Sequence, residues 1–325
     1  MTHQSDVSTP TQAARGSSRP PGADVVDASP AKRLGRMFRF VGSLPDAAMD
    51  LVLRRTHKPS KPPKKTVRRD LVARTWSRGI PITWVEGGRS QTSTIVHLHG
   101  GAYVFGEAPQ HWRWLEEVRR RSGSAAAMVH YRMPPDHPFP YALDDALAAI
   151  RGLQDEGIVR PEQWVLSGDS AGGGLALAVA QALRDNDEPL PAGLLLTSPW
   201  ADLATDSADV YRLEDSDVVL DAQTLRRFAD LYRGTYAVED PRLSPLEGEM
   251  AGLPPVHLVA GDAEILVGDA RRLREKLRDA GVPIAYIEQP GGPHAYPLFG
   301  NDPASQWAIR QQIAFIRAAT GLETS

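Results

Sequence analysis

The 325-residue chain has no cysteine. That excludes disulfides, thiol nucleophiles and cysteine-ligated metals, and it suits a reducing cytoplasm. No apolar run reaches the length of a membrane span. Residues 1–6 lack the charged start and hydrophobic core of a secretory leader, so a cytoplasmic location is expected. No excess of positive charge is present either. The formal net charge is −3, which argues against nucleic acid as the partner of the whole chain. What is there, 42% hydrophobic residues, suffices to bury one large α/β core with a modest addition.

One stretch carries chemistry. Gly168-Asp169-Ser170-Ala171-Gly172 follows the apolar run Trp164-Val165-Leu166-Ser167 and precedes a buried-helix pattern at 175–183. Strand, sharp turn and helix with serine at the turn is the form of a nucleophile elbow, where small flanking residues avoid collisions in a strained backbone. A lone Gly-x-Ser-x-Gly is common, so the reading depends on its companions. Upstream, a strand at 94–98 leads into His99-Gly100-Gly101-Ala102-Tyr103. Such a loop presents backbone N–H groups to an oxyanion; Gly101 and Ala102 would supply two donors and Ala171 a third. The plain alternative is a glycine turn with no chemistry. His97 and His99 fall on one side of the strand as a metal pair would, but no further ligand follows at a suitable spacing, so no metal is expected.

Downstream, a strand at 256–261 ends beside Asp262 and Glu264. After a helix at 269–280 and a strand at 284–288 comes Gly291-Gly292-Pro293-His294-Ala295-Tyr296. Serine, acid, histidine is the chain order of an α/β-hydrolase sheet. A neutral serine needs an imidazole as base, and the imidazole needs a carboxylate to fix its tautomer.

Together with Tyr131-Arg132-Met133-Pro134-Pro135 and Ser198-Pro199-Trp200-Ala201-Asp202-Leu203, these motifs make the chain from residue 95 onward resemble the hormone-sensitive-lipase-like esterases, bacterial family IV of the α/β hydrolases. The resemblance implies a mostly parallel sheet of about eight strands flanked by helices, with a helical cap. It implies a triad of Ser170, Glu264 and His294, an oxyanion hole of Gly101, Ala102 and Ala171, and hydrolysis of short- to medium-chain carboxylic esters through an acyl-enzyme without a cofactor. Glu264 matches the family's acid by position, with Asp262 an alternative two residues away and Asp269 a candidate cap for the next helix. A lactonase, deacetylase or acyltransferase of a specialised metabolite would use the same triad, and a ligand-binding protein without turnover is a rival of another class. Ala102 replaces the loop's third glycine, harmless if its φ is negative. Gly174 stands where many relatives have asparagine and is expected to let helix and sheet approach closely.

Residues 1–30 read as a disordered tail, 31–70 as an N-terminal cap segment and basic linker, and 71–325 as the catalytic domain, with a cap insertion at about 200–246. Ser43 is a candidate N-cap for a short helix at 46–53, and a cap helix is expected near 222–232. The remaining strands are predicted at 71–76, 80–85, 126–131, 164–167 and 192–197. The basic run Arg54, Arg55, Lys58, Lys61, Lys64, Lys65, Arg68 and Arg69 is interleaved with prolines and reads as a solvated extended linker in preference to a nucleic-acid or membrane surface. Trp112 and Trp114 are candidates for the substrate entrance or the core. The expected partner is a small-molecule ester, with a homodimer left open.

Overall fold

A computed structural model describes residues 19–90 and 92–322. The chain opens with α1 (Ser29–Gly42) and α2 (Asp46–Thr56), followed by β1 (Val72–Ser77), β2 (Ile80–Val85), β3 (Thr94–Leu98), α3 (Pro109–Ser122) and β4 (Ala125–Val129). Then come α4 (Tyr141–Asp155), β5 (Trp164–Asp169), α5 (Ser170–Asp185), β6 (Gly193–Thr197), α6 (Ala208–Leu213) and α7 (Ala222–Arg233). The last elements are β7 (Val256–Gly261), α8 (Val267–Asp279), β8 (Ile284–Gln289) and α9 (Pro303–Ala319). The strands form one eight-stranded sheet in the order β1-β2-β4-β3-β5-β6-β7-β8. The β1–β2 and β2–β4 pairs are antiparallel and the rest parallel, which is the expected α/β-hydrolase sheet.

Successive side chains of a strand face opposite sides, so helices on both faces require strands that are apolar throughout. Ile95, Met128, Val165 and Leu195 pack with α3 and α9, while Val96, Leu166 and Leu196 belong to the larger cluster containing α4, α5 and α8. Because β3 and β5 to β8 run parallel, their C-terminal ends share one rim, where ligand sites of open α/β sheets lie.

Of the expected tail, residues 1–18 lie outside the described residues, and residues 19–30 depart from the expectation. Ala23–Val25 form a 3-10 turn, Val25 and Val26 pack on a cluster built around Ile287, and Gln289 Nε2 donates to the Pro21 carbonyl at 2.8 Å. Two valines find apolar surface at the β8 edge, which ties the segment down. Ser43 caps nothing at its N-terminal side: its N–H reaches Arg39 O (3.0 Å) and its hydroxyl Phe40 O (2.9 Å), so it closes α1, and Pro45 precedes α2. On the inner side of α1, Phe38 meets Phe228 of α7 edge-on at 5.1 Å and Phe105 at 6.1 Å. Trp112 and Trp114 are both buried, bonding Ser60 Oγ and Gln312 Oε1 at 2.9 Å each, so they belong to the core. Among the described residues no helix is long and apolar enough to cross a membrane.

Candidate active site

β5 delivers the chain to Ser170, the first residue of α5, whose φ of +52° lies in the left-handed region. Close packing explains the glycines beside it. A Cβ on Gly168 would stand 2.0 Å from Gly172 O, and one on Gly172 2.1 Å from Leu98 O. Gly174 also permits a close approach, though not to the sheet: its Cβ would meet Trp200 O, on the chain leaving β6, at 2.1 Å.

The loop after β3 turns sharply, with φ of +129° at Gly101, +53° at Ala102 and +61° at Tyr103. The condition placed on Ala102 therefore fails: its side chain occupies a left-handed position that costs an L-residue about 1–2 kcal/mol. The turn is held by Val104 N–H and Phe105 N–H donating to Gly101 O at 3.0 and 2.8 Å. Among the described residues the amides of Gly101, Ala102 and Ala171 donate no hydrogen bond.

A buried polar layer supports this loop. Asp169 Oδ1 accepts the Gly100 N–H at 3.0 Å, and its Oδ2 is 3.3 Å from His111 Nε2. His97 Nε2 lies 3.3 Å from Asp169 Oδ1 while its Nδ1 bonds Ser167 Oγ at 2.6 Å. Burial opposes ionisation of Asp169, but the neighbouring His111 and His97 outweigh it and hold the carboxyl below the ordinary range. His99 stacks on Tyr131 at 4.4 Å, and the Tyr131 hydroxyl donates to His99 O at 2.5 Å. The two strand histidines thus serve the loop and the elbow. A second buried carboxylate, Glu107, accepts the Ser60 N–H and lies 3.3 Å from His130 Nδ1 and 3.9 Å from His99 Nε2.

On the other side of the elbow, Glu264 follows β7 and is fully buried. Its Oε2 contacts His294 Nδ1, and its Oε1 accepts the Ser198 hydroxyl at 2.6 Å and the Gly261 N–H at 2.9 Å. Asp262 instead accepts the Gly291 N–H at 2.7 Å. Asp269 caps nothing: Leu266 is the residue before α8, and Asp269 lies buried inside its first turn, accepting the Asp202 N–H at 3.2 Å. Burial presses the His294 ring toward its neutral form, but the Glu264 carboxylate beside it prevails and holds its pKa above 6.5.

Two residues here were given no role from the sequence, although Ser198 lies in one of its motifs. Ser198, at the end of β6, bonds Glu264 and also accepts the Ala295 N–H at 3.0 Å, bracing acid and histidine loops together. Its signal was a Ser-Pro at the end of a strand adjacent to β5. Asp217 accepts the Ile265 N–H at 2.8 Å and the Val219 and Leu220 amides at 2.7 and 2.9 Å, joining the 200–246 insertion to the acid loop. Among the neighbouring acids Glu214 and Asp215 nothing in the sequence distinguished it.

A family profile described as alpha/beta hydrolase fold matches residues 95–298. A crystal structure of an esterase from the bacterial hormone-sensitive lipase family superposes with a TM-score of 0.78 at 29% identity, covering 91% of this chain and 99% of that one. The chain belongs to the hormone-sensitive-lipase-like family of α/β hydrolases. This hydrolase is 39% identical over 239 residues to an acetyl-hydrolase of Streptomyces hygroscopicus, which covers 73% of this chain and 80% of that one. It is 34% identical over 203 residues to an esterase of Acinetobacter venetianus, covering 62% and 67% of the two chains. The hydrolase acts on carboxylic esters.

Proposed function

We propose that Ser170, His294 and Glu264 form the triad of a carboxylesterase acting on short- to medium-chain esters. The observation that carries this reading is the Glu264–His294 contact, on the rim that also bears the Ser170 elbow. Ser170 Oγ attacks the acyl carbonyl carbon as His294 takes its proton, and the amides of Gly101, Ala102 and Ala171 hold the oxyanion. The intermediate collapses, and the alcohol leaves with the proton from His294. Water, deprotonated by His294, then attacks the acyl-enzyme, releasing the carboxylic acid and restoring Ser170. Glu264 keeps the His294 Nδ1 proton in place throughout. No cofactor enters these steps.

We assign α1, α2 and residues 200–246 to the cap, whose Phe38 and Phe228 pack in one aromatic cluster with Phe105 of the loop after β3. The acetyl-hydrolase relative favours the short end of the range. The cysteine-free composition suits a cytoplasmic enzyme.

Labelling with a fluorophosphonate and peptide mapping tests the nucleophile, and p-nitrophenyl esters from acetate to long acyl chains test the pocket. The label is expected on Ser170, Ser170→Ala should lose about 10⁴- to 10⁶-fold in kcat, and activity should peak between acetate and hexanoate. Full activity of the alanine variant would remove Ser170 from the mechanism, and a maximum at long chains would overturn the acyl range.

A further inference from the structure

The N-terminal layer carries a charge and an exposed apolar surface that ester hydrolysis does not use. Residues 29–69 hold twelve Lys and Arg against two Asp, a net of +10. Since the whole chain carries −3, the remainder carries −13. Such asymmetry within one protein is an electrostatic footprint for an anionic surface.

On α1 the inner face is made by Ala31, Gly35, Phe38 and Val41, all buried. At 100° per residue the opposite face holds Arg33, Arg36, Met37 and Phe40. Phe40 is 63% exposed and Met37 46%, far from the ordinary fate of such side chains. The adjoining α2 repeats the arrangement. Met49 and Leu53 point inward, while Leu51, 54% exposed, stands outward with Arg55 on its own face, beside Arg54, which pairs with Asp136 at 2.8 Å. Large apolar groups framed by arginines on a helix surface are what the interface of an anionic bilayer accommodates: the apolar groups enter the acyl boundary and the guanidinium groups stay with the phosphates. Nucleic acid would match the charge but leave Met37 and Leu51 in water. An extended solvated linker accounts for the prolines at 59–63 but not for Phe40, Met37 and Leu51.

The location gives this surface a use. The inner side of α1 packs, through Phe38, on Phe105 of the loop that follows β3, so the outer face lies one helix thickness from the catalytic rim.

We propose that the outer faces of α1 and α2 form a peripheral docking surface for an anionic phospholipid bilayer, holding the mouth of the enzyme at a lipid surface. The docking face is independent of the triad assignment, because binding is read without turnover.

The test is sedimentation of the full chain with vesicles of phosphatidylcholine alone and of phosphatidylcholine mixed with phosphatidylglycerol. Binding is expected to the mixed vesicles, to be at least tenfold weaker to the neutral ones, and to fall steeply at about 0.5 M salt. The double variant Met37→Asp, Phe40→Asp should lose at least tenfold in binding, with its thermal midpoint and its hydrolysis of p-nitrophenyl acetate in solution unchanged. If that pair disturbs folding, Arg33→Gln with Arg36→Gln on the same face supplies the comparison and should weaken binding to the mixed vesicles alone. Failure of the wild-type chain to sediment with mixed vesicles overturns the proposal, as does equal binding by both double variants. Retention of a single-stranded oligonucleotide without vesicle binding would assign the charge to nucleic acid and also overturn it.

Discussion

Glu264 is a carboxylate placed where water cannot reach it, and each of its oxygens is committed: one to His294, the other to Ser198 and Gly261. A buried charge persists only with such partners, and here the partners also fix its direction. The consequence is a basic imidazole. With its pKa above 6.5, His294 loses its capacity as a base while the solution is still near neutral. For the proposed mechanism kcat/KM should therefore fall about tenfold per pH unit below a midpoint above 6.5, because the protonated ring cannot take the Ser170 proton. The measurement is a profile of kcat/KM from pH 5 to 9 with a soluble ester. Ser198→Ala removes one bond to the carboxylate and the tie to Ala295, and it should shift this midpoint while Ser170 still reacts with a fluorophosphonate. A profile flat between pH 5 and 8 would exclude His294 as the base.

At the scale of elements, the segment leaving α2 is stitched to the loop that follows β3. His57 Nε2 lies 2.9 Å from Val104 O, Gly106 N–H reaches Thr56 Oγ1 at 3.4 Å, and Ser60 N–H is accepted by Glu107. Burial would raise the Glu107 carboxyl, yet the contact from His130 and the nearby His99 bring it down to about 2, so it is an anion bound by its partners. Glu107→Ala takes the acceptor from the Ser60 N–H and the neighbour from His130 Nδ1 and should cost about 1–3 kcal/mol in chemical denaturation. Asp70→Ala, which breaks the exposed Arg68 pair, should leave the denaturation midpoint nearly unchanged. Similar losses in the two variants would mean that the Glu107 contacts carry little energy. Such pairings between segments far apart in the chain were not legible beforehand, since Glu107 and His130 fit no local pattern. The strands were. Ile80–Val85 and Thr94–Leu98 are found with the bounds expected of them, because short runs rich in β-branched and apolar residues between turn residues favour strands. β5 runs two residues further than expected, as Gly168 and Asp169 stay extended up to the elbow. α1 was not read as a helix because two of its four inward positions, Ala31 and Gly35, carry little or no side chain. A Cβ on Gly35 would stand 2.1 Å from Val218 O, so that contact is made by the absence of a side chain. At the site, the elbow, acid and histidine were marked by glycine and chain order, whereas Ser198 and Asp217 act through loops whose meeting only the fold decides.

For the molecule as a whole, the same burial that defines the core sets its response to acid. His257, on β7 beside β6, packs against Phe315 at 5.4 Å, and neither ring nitrogen finds a partner among the described residues. Burial pushes its pKa down to about 4. The unfolded chain takes a proton on this ring near 6.5 while the folded chain refuses it until about 4, so stability is lost as pH falls through that window. Between pH 7 and pH 5 this amounts to about 2 kcal/mol. His294 acts with the opposite sign: its raised pKa stabilises the fold below 6.5 and that contribution fades as pH rises, which partly offsets His257 in the wild-type chain. His257→Leu separates the two. The variant keeps the volume, removes an unpaired polar ring, and should be at least as stable as wild type at pH 7. In urea titrations at pH 7, 6 and 5 its stability should fall by about 2 kcal/mol less than that of the wild-type chain over the range. Parallel declines in the two proteins would show that the ring is hydrated or partnered in the folded state, and the acid sensitivity over this range would then belong to the other buried histidines, His97 and His99, whose pKa values burial also lowers.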